Sequence, residues 1–187
     1  MSGRFEARST SLDGVIALTK QQMADSRGFL ERVYCSEDLA PYLGTRRIEQ
    51  INRTRTLRAG TVRGLHYQHP PHAETKVVSC LRGAVFDVAV DLRAGSPTFL
   101  KWHGEILNSS NGSILIIPEG FAHGFQTLEP DTEMLYLHTA RYVAGAEGGL
   151  NVRDSAIGLT WPTPITDMSA RDAGLPFADP DFKGLAL

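Results

Sequence analysis

The stretch GSILIIPEGFAH, Gly112 to His123, decides the fold. Ile114 to Ile117 read as a short apolar strand, Pro118 and Gly120 punctuate a turn, and a second strand is predicted to begin around His123. Such a turn aims one polar side chain, the imidazole, at a fixed point.

Outward from this hairpin the same pattern repeats. The run KVVSCLRGAVFDVAVDLR breaks near Gly83 into two predicted strands, Lys76 to Leu81 and Ala84 to Asp91. In the second, Ala84, Phe86, Val88 and Val90 share one face, opposite Val85, Asp87, Ala89 and Asp91. A strand holding Trp102 runs to about Leu107, the NSSNG turn follows, and EMLYLHTARYV closes the series. Many short strands separated by Gly, Pro, Asn and Ser clusters predict an all-β sandwich or jelly roll. The spacing Gx5PxGx2H also resembles the second motif of the cupin barrels. In those proteins the histidine faces the interior, often as a metal ligand.

The predicted fold is therefore a cupin-type jelly roll, or double-stranded β-helix, with short peripheral helices. A single domain spans residues 1–187, with a barrel core over about 45–145, an N-terminal arm over 1–44 and a Pro-rich tail over 161–187. SEDLAPYL, Ser36 to Leu43, is predicted to be a short helix with Ser36 as N-cap, and another single helix is predicted to begin at Ser169. A net charge of -2 with 21% charged residues lacks the dense basic face of a nucleic-acid binder. No apolar leader or membrane-length stretch is present in the sequence, so a soluble, cytoplasmic protein is expected. Cys35 and Cys80, in no CxxC pattern, are expected to be buried, reduced thiols.

The histidines narrow the chemistry. A metal-binding cupin carries an H-x-H pair, whereas RGLHYQHPPHAETK spaces His66, His69 and His72 at intervals that point successive strand residues to opposite faces. His69 and His72 flank Pro70 and Pro71 in a predicted loop, leaving His66 and His123 as interior candidates, with Glu74 needed as a third ligand. No metal and no cofactor are expected. Without a metal, an interior imidazole points to acid–base work near neutrality. Lys76 at a strand start, and Tyr136 on the face it shares with Met134 and His138, add a cation and a phenol. Ser169 and Asp172 fit a capping box, in which the carboxylate only starts a helix.

The motifs RGLHYQ, AETK, RGAVFDVAVDLR, SPTF, IPEGFAHGF, LYLHTARY and GLTWP, in this order from about Asp25 to Pro176, resemble the dTDP-4-dehydrorhamnose 3,5-epimerase family. The resemblance implies an isomerase that inverts C3, C5 or both in a nucleotide-linked 4-keto-6-deoxyhexose of deoxysugar or rhamnose biosynthesis. It implies His66 as general base, Asp172 as its partner, Lys76 as stabiliser of the enolate oxygen and Tyr136 as the acid on the opposite face. It also implies that Arg27, Arg63 and Arg171 meet the pyrophosphate. Gln50, Asn52 and Glu147 contact the nucleotide in this reading, while His123 and Tyr142 line the sugar end. The segment carrying Arg27 is expected to complete a neighbouring subunit's site in a homodimer.

The chain departs from the family pattern at Arg32, Ile51, Leu137 and Arg171, positions that bear on the nucleotide base more than on the reaction. Rival readings are a single-site 3- or 5-epimerase or ketoisomerase on another nucleotide sugar, a metal-dependent cupin enzyme, and a non-catalytic sugar-binding cupin.

Overall fold

The computed structural model describes residues 4–187; the first three residues of the N-terminal arm lie outside the described residues. In chain order the strands are β1 (Phe5–Ser9), β2 (Ile16–Lys20), β3 (Gln22–Asp25), β4 (Gly28–Glu31), β5 (Gln50–Thr56), β6 (Thr61–Gln68), β7 (Lys76–Arg82), β8 (Ala84–Asp91), β9 (Trp102–Asn108), β10 (Ser113–Ile117), β11 (Phe121–Thr127), β12 (Thr132–His138), β13 (Glu147–Gly149) and β14 (Asp167–Met168). The helices are α1 (Ser36–Leu43) and α2 (Ala170–Ala173).

One sheet runs β1-β2-β10-β7-β12-β5; the other runs β13-β6-β11-β8-β9, with β14 added alongside β6. Neighbours are antiparallel throughout except for the parallel β14–β6 pair. This is the expected all-β jelly roll. Consecutive strands in the chain often lie in different sheets, as β6 and β7 do, so the chain crosses repeatedly between the two walls.

The alternation read in β8 explains why both its faces are apolar. Val85 and Ala89 enter the core between the sheets with Val78, Leu115, Phe125 and Met134. Val88 and Val90 face outward, and the chain after β13 covers them with Leu150, Ile157 and Leu185. The outer face of the other sheet, through Ile114, Ile116 and Leu137, is covered by Leu39 and Leu43 of α1. Arm and tail are thus lids on the two outer sheet faces, and burying apolar area on both sides of each wall drives their docking. The arm also supplies strands, since β2 pairs with β10.

Three local expectations are corrected. The N-cap of α1 is Cys35, in extended backbone and without a side-chain cap bond, so Ser36 is the first helical residue. Strand β11 begins at Phe121 rather than near His123, because Phe121 already pairs with Asp91 across the sheet. Cys80 is buried, with a thiol pushed up to about 11 by that burial, whereas Cys35 is only half-buried at the start of α1. The helix predicted at Ser169 is present: its hydroxyl accepts from the Asp172 backbone N–H at 3.0 Å as the N-cap of α2.

Candidate active site

A cavity of about 540 Å³ lies against both sheets, a volume suited to a small organic ligand. His66 and His123 reach it from β6 and β11 of one sheet, and Lys76 and Tyr136 from β7 and β12 of the other. The sandwich therefore sets two pairs of polar groups on facing walls. His66 and His123 are direct register partners on neighbouring strands. Their approach depends on Gly64, whose φ is +118° and where an added Cβ would stand 2.7 Å from Gly124 Cα and from the His123 carbonyl oxygen.

His66 Nε2 lies 2.8 Å from Asp172 Oδ1, and the other carboxylate oxygen accepts the Gly64 backbone N–H at 3.2 Å. The capping reading of Asp172 is half correct: Ser169 caps with its hydroxyl, while the Asp172 carboxylate turns to the histidine. Burial alone would raise the Asp172 pKa, but the hydrogen bonds it makes with His66 and with the Gly64 N–H hold it below the ordinary carboxylate value. A carboxylate facing Nε2 fixes the ring proton there and leaves Nδ1 with the free lone pair.

On the facing wall, Tyr136 is nearly enclosed, and desolvation pushes its phenol far above the usual value. It therefore stays protonated, with Thr54 Oγ1 3.4 Å from its oxygen. The His123 ring meets the Tyr136 ring edge-on at 6.0 Å. Lys76 Nζ crosses from one sheet to the other to donate to the His66 carbonyl oxygen at 3.2 Å.

Asn52, Arg63, Tyr142, Glu147 and Arg171 line the same cavity. Arg63 donates to Thr56 Oγ1 at 3.1 Å, and among the described residues no carboxylate is paired with it. Arg171 is bound to Glu147 at 2.5 Å, and the same carboxylate accepts from the Tyr142 hydroxyl at 2.8 Å. Gln50 stands one step back, accepting the Tyr142 backbone N–H at 3.0 Å. Arg27 is not brought in: it sits in the turn between β3 and β4, paired with Asp25 at 2.6 Å, outside the cavity of its own chain. His69 and His72 lie in a turn, as expected, joined by a backbone bond of 2.9 Å. Among the described residues no group of three or more His, Cys, Asp and Glu is arranged to hold a metal ion.

Two further pairs arise from strand order and register, which the sequence does not display. His123 Nε2 lies 2.9 Å from Asp87 Oδ2; Asp87 is wholly buried, and burial pushes its pKa up against the pull of His123. Glu74 is shared by His138 Nδ1 at 2.9 Å and Lys76 Nζ at 3.2 Å. The face shared by Tyr136 and His138 was the one available signal for the second pair.

A family model described as dTDP-4-dehydrorhamnose 3,5-epimerase matches residues 9–179. A dTDP-4-dehydrorhamnose 3,5-epimerase of Sinorhizobium fredii is 41% identical over 170 residues, 90% of this chain and 87% of the relative. A dTDP-4-dehydrorhamnose 3-epimerase of Streptomyces niveus is 36% identical over 88% of this chain and 80% of its own length. The crystal structure of dTDP-6-deoxy-D-glucose-3,5-epimerase from Legionella pneumophila, in complex with dTDP-4-keto-L-rhamnose, superposes with a TM-score of 0.91 at 34% identity, covering 98% of this chain and 99% of that one.

Proposed function

The chain belongs to the dTDP-4-dehydrorhamnose 3,5-epimerase family and is an isomerase; from that premise we propose that its cavity inverts C3, C5 or both in a nucleotide-linked 4-keto-6-deoxyhexose, dTDP-4-dehydro-6-deoxyglucose above all. The observation that carries this reading is His66 on one sheet, paired with Asp172 of α2, facing Tyr136 on the other sheet.

Inversion beside a ketone removes a carbon-bound proton from one face and returns one to the other. His66 Nδ1 takes the proton and becomes imidazolium, which the Asp172 carboxylate stabilises. The electron pair left on carbon moves into the carbonyl as an enolate, and the Lys76 ammonium meets the new negative charge on oxygen. Tyr136 then delivers its phenolic proton from the facing wall. Its raised pKa suits an acid that must stay protonated until the basic enolate forms. Solvent afterwards takes the proton from His66 and restores the one on Tyr136, so each inversion exchanges a sugar proton with water.

The remaining cavity residues suit the rest of the ligand. Arg63, with its guanidinium unclaimed by a carboxylate among the described residues, meets the pyrophosphate. Arg171 does so only by sharing or leaving its bond to Glu147. Asn52 and Glu147 form the nucleotide wall with Gln50 one step behind, and His123 and Tyr142 border the sugar. The β3–β4 hairpin exposes Met23, Phe29 and Leu30 beside Arg27, which supports a homodimer in which Arg27 reaches the neighbouring site. No described helix is long and apolar enough to cross a membrane.

The test is incubation with dTDP-4-keto-6-deoxyglucose in deuterated water, read by NMR, with CDP, UDP and GDP analogues as comparisons. Label at C3 and C5 in inverted product is expected; label at one carbon assigns a single-site epimerase. No label, or label formed equally well by His66→Ala, overturns the reading.

A further inference from the structure

We propose that Glu74 is a positioning residue for the epimerisation, holding the Lys76 ammonium at the site where the enolate oxygen forms, and that His138 holds Glu74 in turn. The inference rests on the proposed role of Lys76.

A lysine carries a point charge on a flexible four-carbon stem, so nothing in the residue itself aims it. Here two anchors do. Lys76 Nζ lies 3.2 Å from the His66 carbonyl oxygen on one side and 3.2 Å from Glu74 Oε1 on the other. An ammonium has three donor hydrogens, so these anchors leave one for the cavity that Lys76 lines. The first anchor is backbone of the strand that carries the base. Lys76 and His66 are thereby fixed relative to each other, as an enolate formed beside the base requires.

Glu74 is itself held rigidly. Its side chain is 9% exposed, and its second oxygen is taken by His138 Nδ1 at 2.9 Å. Burial pushes the Glu74 pKa up, yet the His138 bond and the Lys76 charge outweigh it and keep the carboxylate ionised below its usual range. His138 is fixed by a stacked contact on Tyr136, with ring centroids 6.1 Å apart, and by Asn52 Nδ2 at 3.4 Å from Nε2. An amide N–H facing Nε2 assigns the ring proton to Nδ1, toward Glu74. The carboxylate then balances the ammonium, and the unit is neutral until negative charge develops on the substrate.

The test is a double-mutant cycle on the full-length enzyme, reading deuterium uptake into the 4-keto sugar as kcat and KM per folded protein. Glu74→Gln is expected to lower kcat about 10- to 100-fold, the scale of a misplaced catalytic group, with KM moved less than about two-fold. In a Lys76→Met background, measured over long incubations, Glu74→Gln is expected to change kcat less than about two-fold. His138→Asn, which removes the second bond on Glu74, is expected to follow the same rule with a smaller loss; it carries the test if Glu74→Gln does not fold.

Losses that multiply in the Lys76→Met background, or an effect confined to KM, overturn the inference and make Glu74 a substrate-binding group. No uptake by the unaltered enzyme overturns the proposed function instead.

Discussion

Changing Asp172 to Asn preserves the outline of the side chain and reverses the chemistry of the dyad. The carboxylate accepts twice, from the Gly64 N–H at 3.2 Å and from His66 Nε2 at 2.8 Å. An amide has one acceptor oxygen, and the Gly64 N–H, buried and fixed in the backbone, claims it. The amide nitrogen then faces Nε2, which has to accept, and the ring proton moves to Nδ1, the position required for the base. A hydrogen bond to a charged group contributes about 1.5–3 kcal/mol, so losing it, enforcing the wrong tautomer and removing the imidazolium's counter-charge raise the barrier by about 3–5 kcal/mol. At about 1.4 kcal/mol per decade, kcat falls roughly 10²- to 10⁴-fold. Asp172→Ala, which imposes no tautomer, is expected to keep more activity than Asp172→Asn. The assay is deuterium uptake at C3 and C5 under saturating substrate, normalised to folded protein by circular dichroism. An Asn variant within about five-fold of the unaltered enzyme, or about ten-fold better than Ala, refutes the assignment.

Gly64→Ala is expected to lower stability by roughly 3 kcal/mol or more, because a Cβ at positive φ meets backbone atoms of β11; chemical denaturation measures it. Asp91 is fully buried on Arg93, Ser96 and Thr98, with its carboxyl lowered to about 2. Its folded pKa lies below the unfolded value near 3.9, so its roughly 2 kcal/mol of stability is present above about pH 4 and lost as pH falls toward 2. Asp91→Asn should flatten that part of the stability–pH curve. If the Arg27 hairpin completes the neighbouring site, mixing inactive Arg27→Ala and His66→Ala dimers under exchange conditions regenerates about a quarter of the sites, by random pairing. No regained activity places both defects in one chain's site.

Strand positions were legible where apolar spacing is strong, and most clearly in β8, where period-two alternation survives although both faces are buried. His66, Lys76, Tyr136 and Asp172 all line one cavity; the spacing of the histidines and the strand pattern point to the first three, whereas Asp172 reads locally as a helix cap and only the motif resemblance pairs it with His66. The Asp87–His123 and Glu74–His138 pairs were hidden because they depend on sheet order and register. His123 meets Asp87 only because β11 lies beside β8, and His138 meets Glu74 only because β12 pairs with β7. Local rules also misjudged the start of α1, where a serine suited to capping sits one residue inside the helix. Arg27, expected to complete a neighbouring subunit's site, stands on the β3–β4 hairpin outside the cavity of its own chain.

In the proposed mechanism base and acid act from opposite walls, His66 from one sheet and Tyr136 from the other. Tyr136→Phe in deuterated water separates the two half-reactions, with NMR reading label and configuration at C3 and C5 together. His66 is expected still to exchange the sugar proton on its own face, giving label with retained configuration while inverted product falls to a small residue. Inverted, labelled product formed at the rate of the unaltered enzyme would contradict the two-wall mechanism.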